Sequence, residues 1–224
     1  MDAGKKILLD LLTGSLRFVV PVYQRRYSWG EAQCRQLWSD IVTASRHPER
    51  THFTGSVVWM QEGGIGPDGV SRCQLIDGQQ RLTSVTLLLI ALAEYARERP
   101  ENLRFSADML IDRGYLVDKY ATGEGRYKLT LSGDDREVLH GMCDHVVAPD
   151  RPNHANTGSR LEANLDLFRS LAAAIDDANV VWNGLQRLEV VSVTLDQDRD
   201  EPQLVFESMN STGLDLETSD LVRN

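Results

Sequence analysis

The residues best suited to chemistry form the run Asp77-Gly78-Gln79-Gln80-Arg81. There a short apolar stretch, Cys73 to Ile76, meets an unbroken helix-forming pattern that starts at Gln79 or Gln80. The spacing predicts a strand, a tight turn and a helix. The first turn of a helix leaves backbone N–H groups unpaired and carries partial positive charge, so it attracts anions, and Arg81 sets a fork of donors in the same place. Phosphate is the matching guest. Gly78 permits a backbone conformation or a close ligand approach that a side chain would hinder, while Asp77 is suited to orient Arg81 or to hold a metal or water. The same five residues also read as an ordinary turn, with Asp77 capping the helix and Arg81 in solvent.

A second dense stretch is Tyr23-Gln24-Arg25-Arg26-Tyr27-Ser28-Trp29, which follows the β-branched run Leu16 to Val22 with Pro21 near its end. Arginines and an amide among aromatics pair with phosphate and stack on a base or sugar. The competing reading makes Tyr27 and Trp29 a hydrophobic anchor flanked by surface arginines. His140, Cys143 and His145 lie close enough in sequence to raise zinc. No fourth ligand is spaced nearby, however, and His140 to His145 is one residue past the i,i+4 register, which favours core or surface roles. Near the C-terminus, Phe206 to Asn224 is rich in small polar groups, with Asn210 to Gly213 expected as a turn and Asp215 to Leu221 as a helix start.

The elements that must position these residues follow from periodicity. Lys5 to Leu12 has helical spacing, Leu16 to Val22 reads as a strand, and Glu31 to about Ser45 reads as a helix capped by Ser28 or Gly30. Phe53 to Met60 and Ser71 to Ile76 form a predicted hairpin around the glycine-rich loop Gly63 to Gly69. From Gln79 to about Arg99 the pattern is apolar nearly all round at its centre, so that helix is expected to be buried. Residues 101–184 turn helical and polar, with predicted helices at Leu103 to Leu116, Asp134 to Cys143 and Leu161 to Asp177 and a short extended piece at Tyr127 to Leu131. Leu188 to Leu195 alternates as a strand, and Glu201 to Met209 follows as a helix. The expected organisation is α+β: a core over residues 1–100, a helical insertion over 101–184, and a strand and helix over 185–224 that return to the core.

Composition narrows the function classes. With 42% hydrophobic residues in 224, the chain can bury a substantial core. Its longest apolar block, Val85 to Ala93, is too short to span a bilayer, and its first residues lack a signal-peptide pattern, so a cytoplasmic location is expected. Cys34, Cys73 and Cys143 are widely separated and predict free thiols. A net charge of -9 argues against nonspecific coating of nucleic acid, though a local basic cleft remains compatible with it. The final Leu221-Val222-Arg223-Asn224 has no helix stop, which predicts a longer protein cut here.

Four stretches taken together, VPVYQRRYSW (Val20 to Trp29), FTGSVV (Phe53 to Val58), LIDGQQRLTSVTLLL (Leu75 to Leu89) and FESMNSTGLDLETSDLVRN (Phe206 to Asn224), resemble the DGQQR-motif family. Those domains open GmrSD-type modification-dependent restriction enzymes and the phosphorothioate-sensing SspE proteins of anti-phage defence, and the N-terminal fifty residues look closer to SspE. The resemblance runs to about residue 95 and resumes at about 185, with a looser match around Tyr127 to Leu139.

This resemblance implies a ParB/sulfiredoxin-like fold, a small mixed sheet with a large helical insertion. It implies hydrolysis of GTP or another nucleoside triphosphate with Mg²⁺, coupled to recognition of phosphorothioate-modified DNA and to a C-terminal nuclease domain. Carried over residue by residue, the DGQQR motif assigns catalysis to Asp77, Gln79, Gln80 and Arg81. Gln24, Arg25, Gly78, Glu207 and Asn210 are assigned to nucleotide binding. Arg81 and Arg25 are expected to stabilise phosphate charge, Gln80 or Gln79 to orient water, and Asp77 or Glu207 to support Mg²⁺ or that water; protein ligands for the metal are otherwise unassigned. A larger, more polarisable sulfur on the DNA backbone favours an apolar pocket beside a cation, which Pro21, Val22, Tyr23, Arg26 and Tyr27 are expected to supply. No P-loop sequence and no His-Asn-His constellation occurs, so strand cutting is expected outside this chain. Homo-oligomers are compatible with the reading, a membrane partner is not, and a non-catalytic reader of modified DNA is the alternative function.

Overall fold

The computed structural model describes residues 2–64, 69–150, 157–197 and 199–211. In chain order these form β1 (Asp2–Ile7), α1 (Leu8–Leu12), β2 (Leu16–Val19), α2 (Glu31–Arg46), β3 (His52–Gln61), β4 (Ser71–Asp77), α3 (Gln79–Glu98) and α4 (Ala107–Leu110). They continue as β5 (Leu129–Thr130), α5 (Asp134–Val147), α6 (Arg160–Ala174), α7 (Asn179–Leu185), β6 (Leu188–Leu195) and α8 (Pro202–Ser211). The strands make one mixed sheet in the order β1-β6-β3-β4-β2-β5. β3 and β4 pair antiparallel as the expected hairpin, β3 runs parallel to β6, and β2 runs parallel to both β4 and β5.

Side-chain alternation assigns the two faces of the sheet. Val57 and Trp59 of β3, Cys73 and Leu75 of β4, and Leu188 and Val190 of β6 join the large core under the helices. Val58, Met60, Ile76, Val191, Val193 and Leu195 form a smaller cluster, against which Val205 and Phe206 of α8 pack. The fixed point of the large core is α3, where Leu82, Leu87, Leu88, Leu89, Ile90 and Leu92 are all completely buried. Each such side chain contributes about 2 kcal/mol of transfer free energy, so the start of α3 is anchored far more firmly than its own short turn requires.

Three expectations are corrected here. Residues 2–7 form a strand, and the helix expected from Lys5 begins only at Leu8, because β1 pairs residue by residue with Thr194 to Glu189 and satisfies the edge of β6. The helix expected over Leu103 to Leu116 is limited to α4 and a π-turn at Ile111–Tyr115, broken by Gly114 at φ 86°. A Cβ at Gly114 would stand 2.9 Å from Lys128 Cε, so the break admits the buried lysine stem. α8 continues through Asn210 and Ser211, where a turn was expected. Helix α7 was not foreseen; its Gly184 packs so tightly on α2 that a Cβ would lie 1.9 Å from the Ile41 carbonyl oxygen.

The buried apolar residues described within 101–184 share the large core. Leu129–Thr130 extend the sheet beside β2, and Leu110, Leu139, Leu165 and Phe168 belong to the same buried cluster as β3 and β4. The three cysteines are free and buried, and burial pushes the Cys73 and Cys143 thiols up to about 12. Among the described residues no helix is long and apolar enough to cross a membrane.

Candidate functional site

β4 delivers Asp77 to a turn that only glycine fits. Gly78 sits at φ 90° as the cap residue of α3, and a Cβ there would approach the Ser56 carbonyl oxygen to 3.0 Å and Val57 Cγ2 to 3.1 Å. No side chain caps this helix, so the alternative role of Asp77 as cap is not realised. Leu82 N–H bonds back to Gly78 O at 3.0 Å, leaving the N–H groups of the first turn directed out of the helix start. Asp77 Oδ2 instead accepts from Ser56 Oγ at 3.1 Å.

Arg81 turns back over β3, where its Nη1 donates to Ser56 O at 2.9 Å. This path exists because residue 55 has no side chain: Gly55 is at φ 104°, and a Cβ would sit 2.5 Å from Arg81 Nη2. Ser56 therefore ties both charged residues of the turn to the neighbouring strand.

The segment after β2 is fastened to the same turn by amide side chains. Gln24 Nε2 donates to the carbonyl oxygens of Leu75 and Ile76, the latter at 3.0 Å, and Gln79 Nε2 donates to Arg25 O at 3.1 Å. Gln80 is a clamp: its Oε1 accepts from the N–H groups of Ser28 at 2.8 Å and Trp29 at 3.1 Å, and its Nε2 donates to Arg26 O at 3.3 Å. Helices α5 and α6 hold the segment from the far side. Tyr27 N–H donates to Asp135 at 2.9 Å, and Asn164 Nδ2 donates to Tyr27 OH at 3.0 Å and to Trp29 O at 2.9 Å.

Between turn and segment lies a cleft of about 240 Å³ lined by Gln24, Arg25, Trp29, Ser56, Ile76, Asp77, Gly78, Gln79, Gln80, Arg81 and Phe206. The structure thus brings Gln24 and Arg25 to the DGQQR turn from more than fifty residues away in sequence. Among the described lining residues Asp77 is the one carboxylate against two arginines and the positive end of α3, a lining that favours an anion. Pro21, Val22 and Tyr23 form a projecting turn at the rim, with Val22 83% exposed and Tyr23 edge-on to Phe206 at 6.1 Å. Arg26 is exposed and pairs with Asp134 at 3.0 Å. Tyr27, by contrast, is buried, its hydroxyl 2.7 Å from Ser84 Oγ, and burial pushes the phenol upward. It supports the segment from within the core and has no surface to offer DNA. The side chains of Glu207 and Asn210, and all of residues 212–224, lie outside the described residues.

Residue reasoning assigned no role to Gly55, Ser56, Phe206 or Asn164. The first two carried a signal, a Gly-Ser pair interrupting the apolar strand Phe53 to Met60, which marks a close backbone approach. Two larger clefts, of about 300 and 460 Å³, open between α3, α5 and α6 around Glu94, His145 and Arg169. They contain none of the motif residues, and the Arg169 guanidinium is held there by both Glu94 oxygens at 2.7 Å. His140 is stacked on Tyr127 with ring centroids 3.6 Å apart, and Cys143 faces the core.

The model of the GmrSD restriction endonuclease N-terminal domain family matches residues 8–224. No curated protein matches the chain. Because that span takes in every element from α1 to α8, and with them both sides of the cleft, this chain belongs to the GmrSD restriction endonuclease N-terminal domain family and has a role in a DNA restriction system.

Proposed function

We propose that the cleft at the start of α3 binds the phosphates of a nucleoside triphosphate, GTP first among them, and hydrolyses it to license a nuclease domain of the same restriction protein. The observation that carries this reading is the convergence on one cleft of an uncapped helix N-terminus with Arg25 and Arg81, which come from separate segments. Arg81 is held by Ser56 O at the cleft wall, and the exposed Arg25 lines the same cleft from the other segment. Gln80 is occupied by three backbone groups and acts as scaffold, so Gln79 is the better candidate for orienting water. Asp77 fits Mg²⁺ in the way such sites commonly do, one carboxylate with the remaining ligands from phosphate and water. When bound, that ion neutralises developing phosphate charge.

On this reading the scaffold is ParB/sulfiredoxin-like, and the rim residues Pro21, Val22 and Tyr23 beside Arg25 and Arg26 contact phosphorothioated DNA, as in an SspE-type sensor. The exposure of Val22 and Tyr23 favours a second reading, a modified-DNA reader without turnover. Phosphate release from GTP with Mg²⁺, with and without phosphorothioated duplex, separates the two. The NTPase reading expects turnover that falls at least a hundredfold in Arg81→Ala and clearly in the exposed Arg25→Ala. Absent turnover together with binding to modified but not plain duplex at equal salt selects the reader.

A further inference from the structure

The sheet ends on its two sides in unequal ways. At one edge β5 is two residues long, whereas at the other β1 offers six residues, Asp2–Ile7, of which Asp2 to Lys6 are all exposed. Its pairing with β6 runs unbroken from Asp2 opposite Thr194 to Ile7 opposite Glu189, without the register shifts that interrupt β3. Such an edge presents a row of backbone N–H and C=O groups that another strand can meet, and β1 has neither the proline, the bulge nor the short length that usually blunts one. Lysine is the remaining guard, and Lys5 is drawn onto its own chain, its Nζ 3.2 Å from Glu189 Oε1.

The order of charge along β1 decides what can pair there. Asp2, Gly4 and Lys6 alternate onto one face, opposite Thr194, Ser192 and Val190. Among the described residues neither Asp2 nor Lys6 has an ion-pair partner in its own chain. Laid antiparallel on itself about Gly4, the strand sets Asp2 of one copy against Lys6 of the other at both ends. A two-fold placed at Lys5 would instead oppose like charges at the centre. Gly4 leaves the crossing point clear, since nothing lies within 4 Å of a Cβ there.

We infer that β1 is an interface between two copies of this chain, paired antiparallel about Gly4 into one continuous sheet. The contact is isologous and uses up the β1 edge of both copies, and the two-residue β5 edge is too short to extend it, so assembly stops at a dimer. The interface needs nothing from the cleft at the start of α3.

Sedimentation velocity of the whole chain across a concentration series tests this. The wild-type protein is expected to pass from monomer to dimer and no further. Asp2→Lys and Lys6→Asp each set like charges opposite one another at both ends and are expected to weaken the dimer about tenfold or more. Mixed in equal amounts the two variants regain it, because the introduced lysine then meets the introduced aspartate while Lys6 meets Asp2. A second readout needs neither variant: Gly4→Cys is expected to form an intermolecular disulfide on mild oxidation, since paired Cα atoms stand about 4.5–5.5 Å apart and the three native cysteines are buried. A wild-type protein that stays monomeric throughout the series overturns the interface. So does a dimer that neither single variant weakens, or a mixture of the two that fails to associate. A wild-type dimer without the Gly4→Cys crosslink overturns the pairing about Gly4.

Discussion

At the scale of single residues, the site depends on two glycines that do opposite jobs. Gly78 lets the chain turn into α3 while touching β3, and Gly55 leaves the space that Arg81 fills. Gly55→Ala is therefore expected to cost about 1–3 kcal/mol in unfolding free energy and to displace the guanidinium, weakening phosphate binding about tenfold or more. Gly14 is the control. It also has positive φ, at 78°, but nothing lies within 4 Å of a Cβ there, so Gly14→Ala is expected to lose stability alone. Paired denaturation and tripolyphosphate titrations check both, and an unaltered affinity in Gly55→Ala would detach Arg81 from phosphate recognition.

At the scale of elements, the segment between β2 and α2 is irregular, yet it is held from three sides by α3, α5 and α6. Asn164 of α6 is 3% exposed and bonds both Tyr27 OH and Trp29 O, while exposed Arg160 donates to Ser28 O at 3.1 Å. Asn164→Ala leaves the Trp29 carbonyl without that donor and is expected to lower stability by about 1–3 kcal/mol. Because the same segment carries Arg25, ligand affinity is expected to fall with it. Retained affinity in the destabilised variant would show that the bonds through Gln24, Gln79, Gln80 and Asp135 fix the segment without Asn164. This gives the helical stretch 101–184 a structural reason to sit where it does: it supports the back of the cleft.

At the scale of the molecule, one buried group links the fold to pH. Burial lowers the His140 imidazole to about 4 against its ordinary value near 6.5, with Tyr127 stacked on one face and Thr130 Oγ1 3.3 Å from Nε2. Between those values the unfolded chain takes up a proton that the folded chain refuses, so stability falls as pH drops from about 6.5 to about 4. His140→Gln is expected to flatten that part of the profile, measured as unfolding free energy against pH. An unchanged slope would assign the acid loss to carboxylates. The effect is one of stability and leaves the cleft's geometry aside.

Much of this was readable in the residues. The strand, turn and helix around Asp77 to Arg81, the β3–β4 hairpin and strand β6 follow from local periodicity and from a glycine no other residue replaces, and such signals survive in any context. β1 was not readable, because Lys5 to Leu12 suits a helix equally well and only the open edge of β6 decides between them. Nor was the separation of Gln79 from Gln80, or of Tyr23 from Tyr27. Neighbours of similar chemistry in sequence point in different directions, and which of them meets solvent and which meets backbone is fixed by partners fifty or more residues away. The sequence by itself determined the chemical groups and the turn that presents them. Tertiary structure alone decided which groups converge, because convergence comes from packing between distant segments and local pattern carries no record of it.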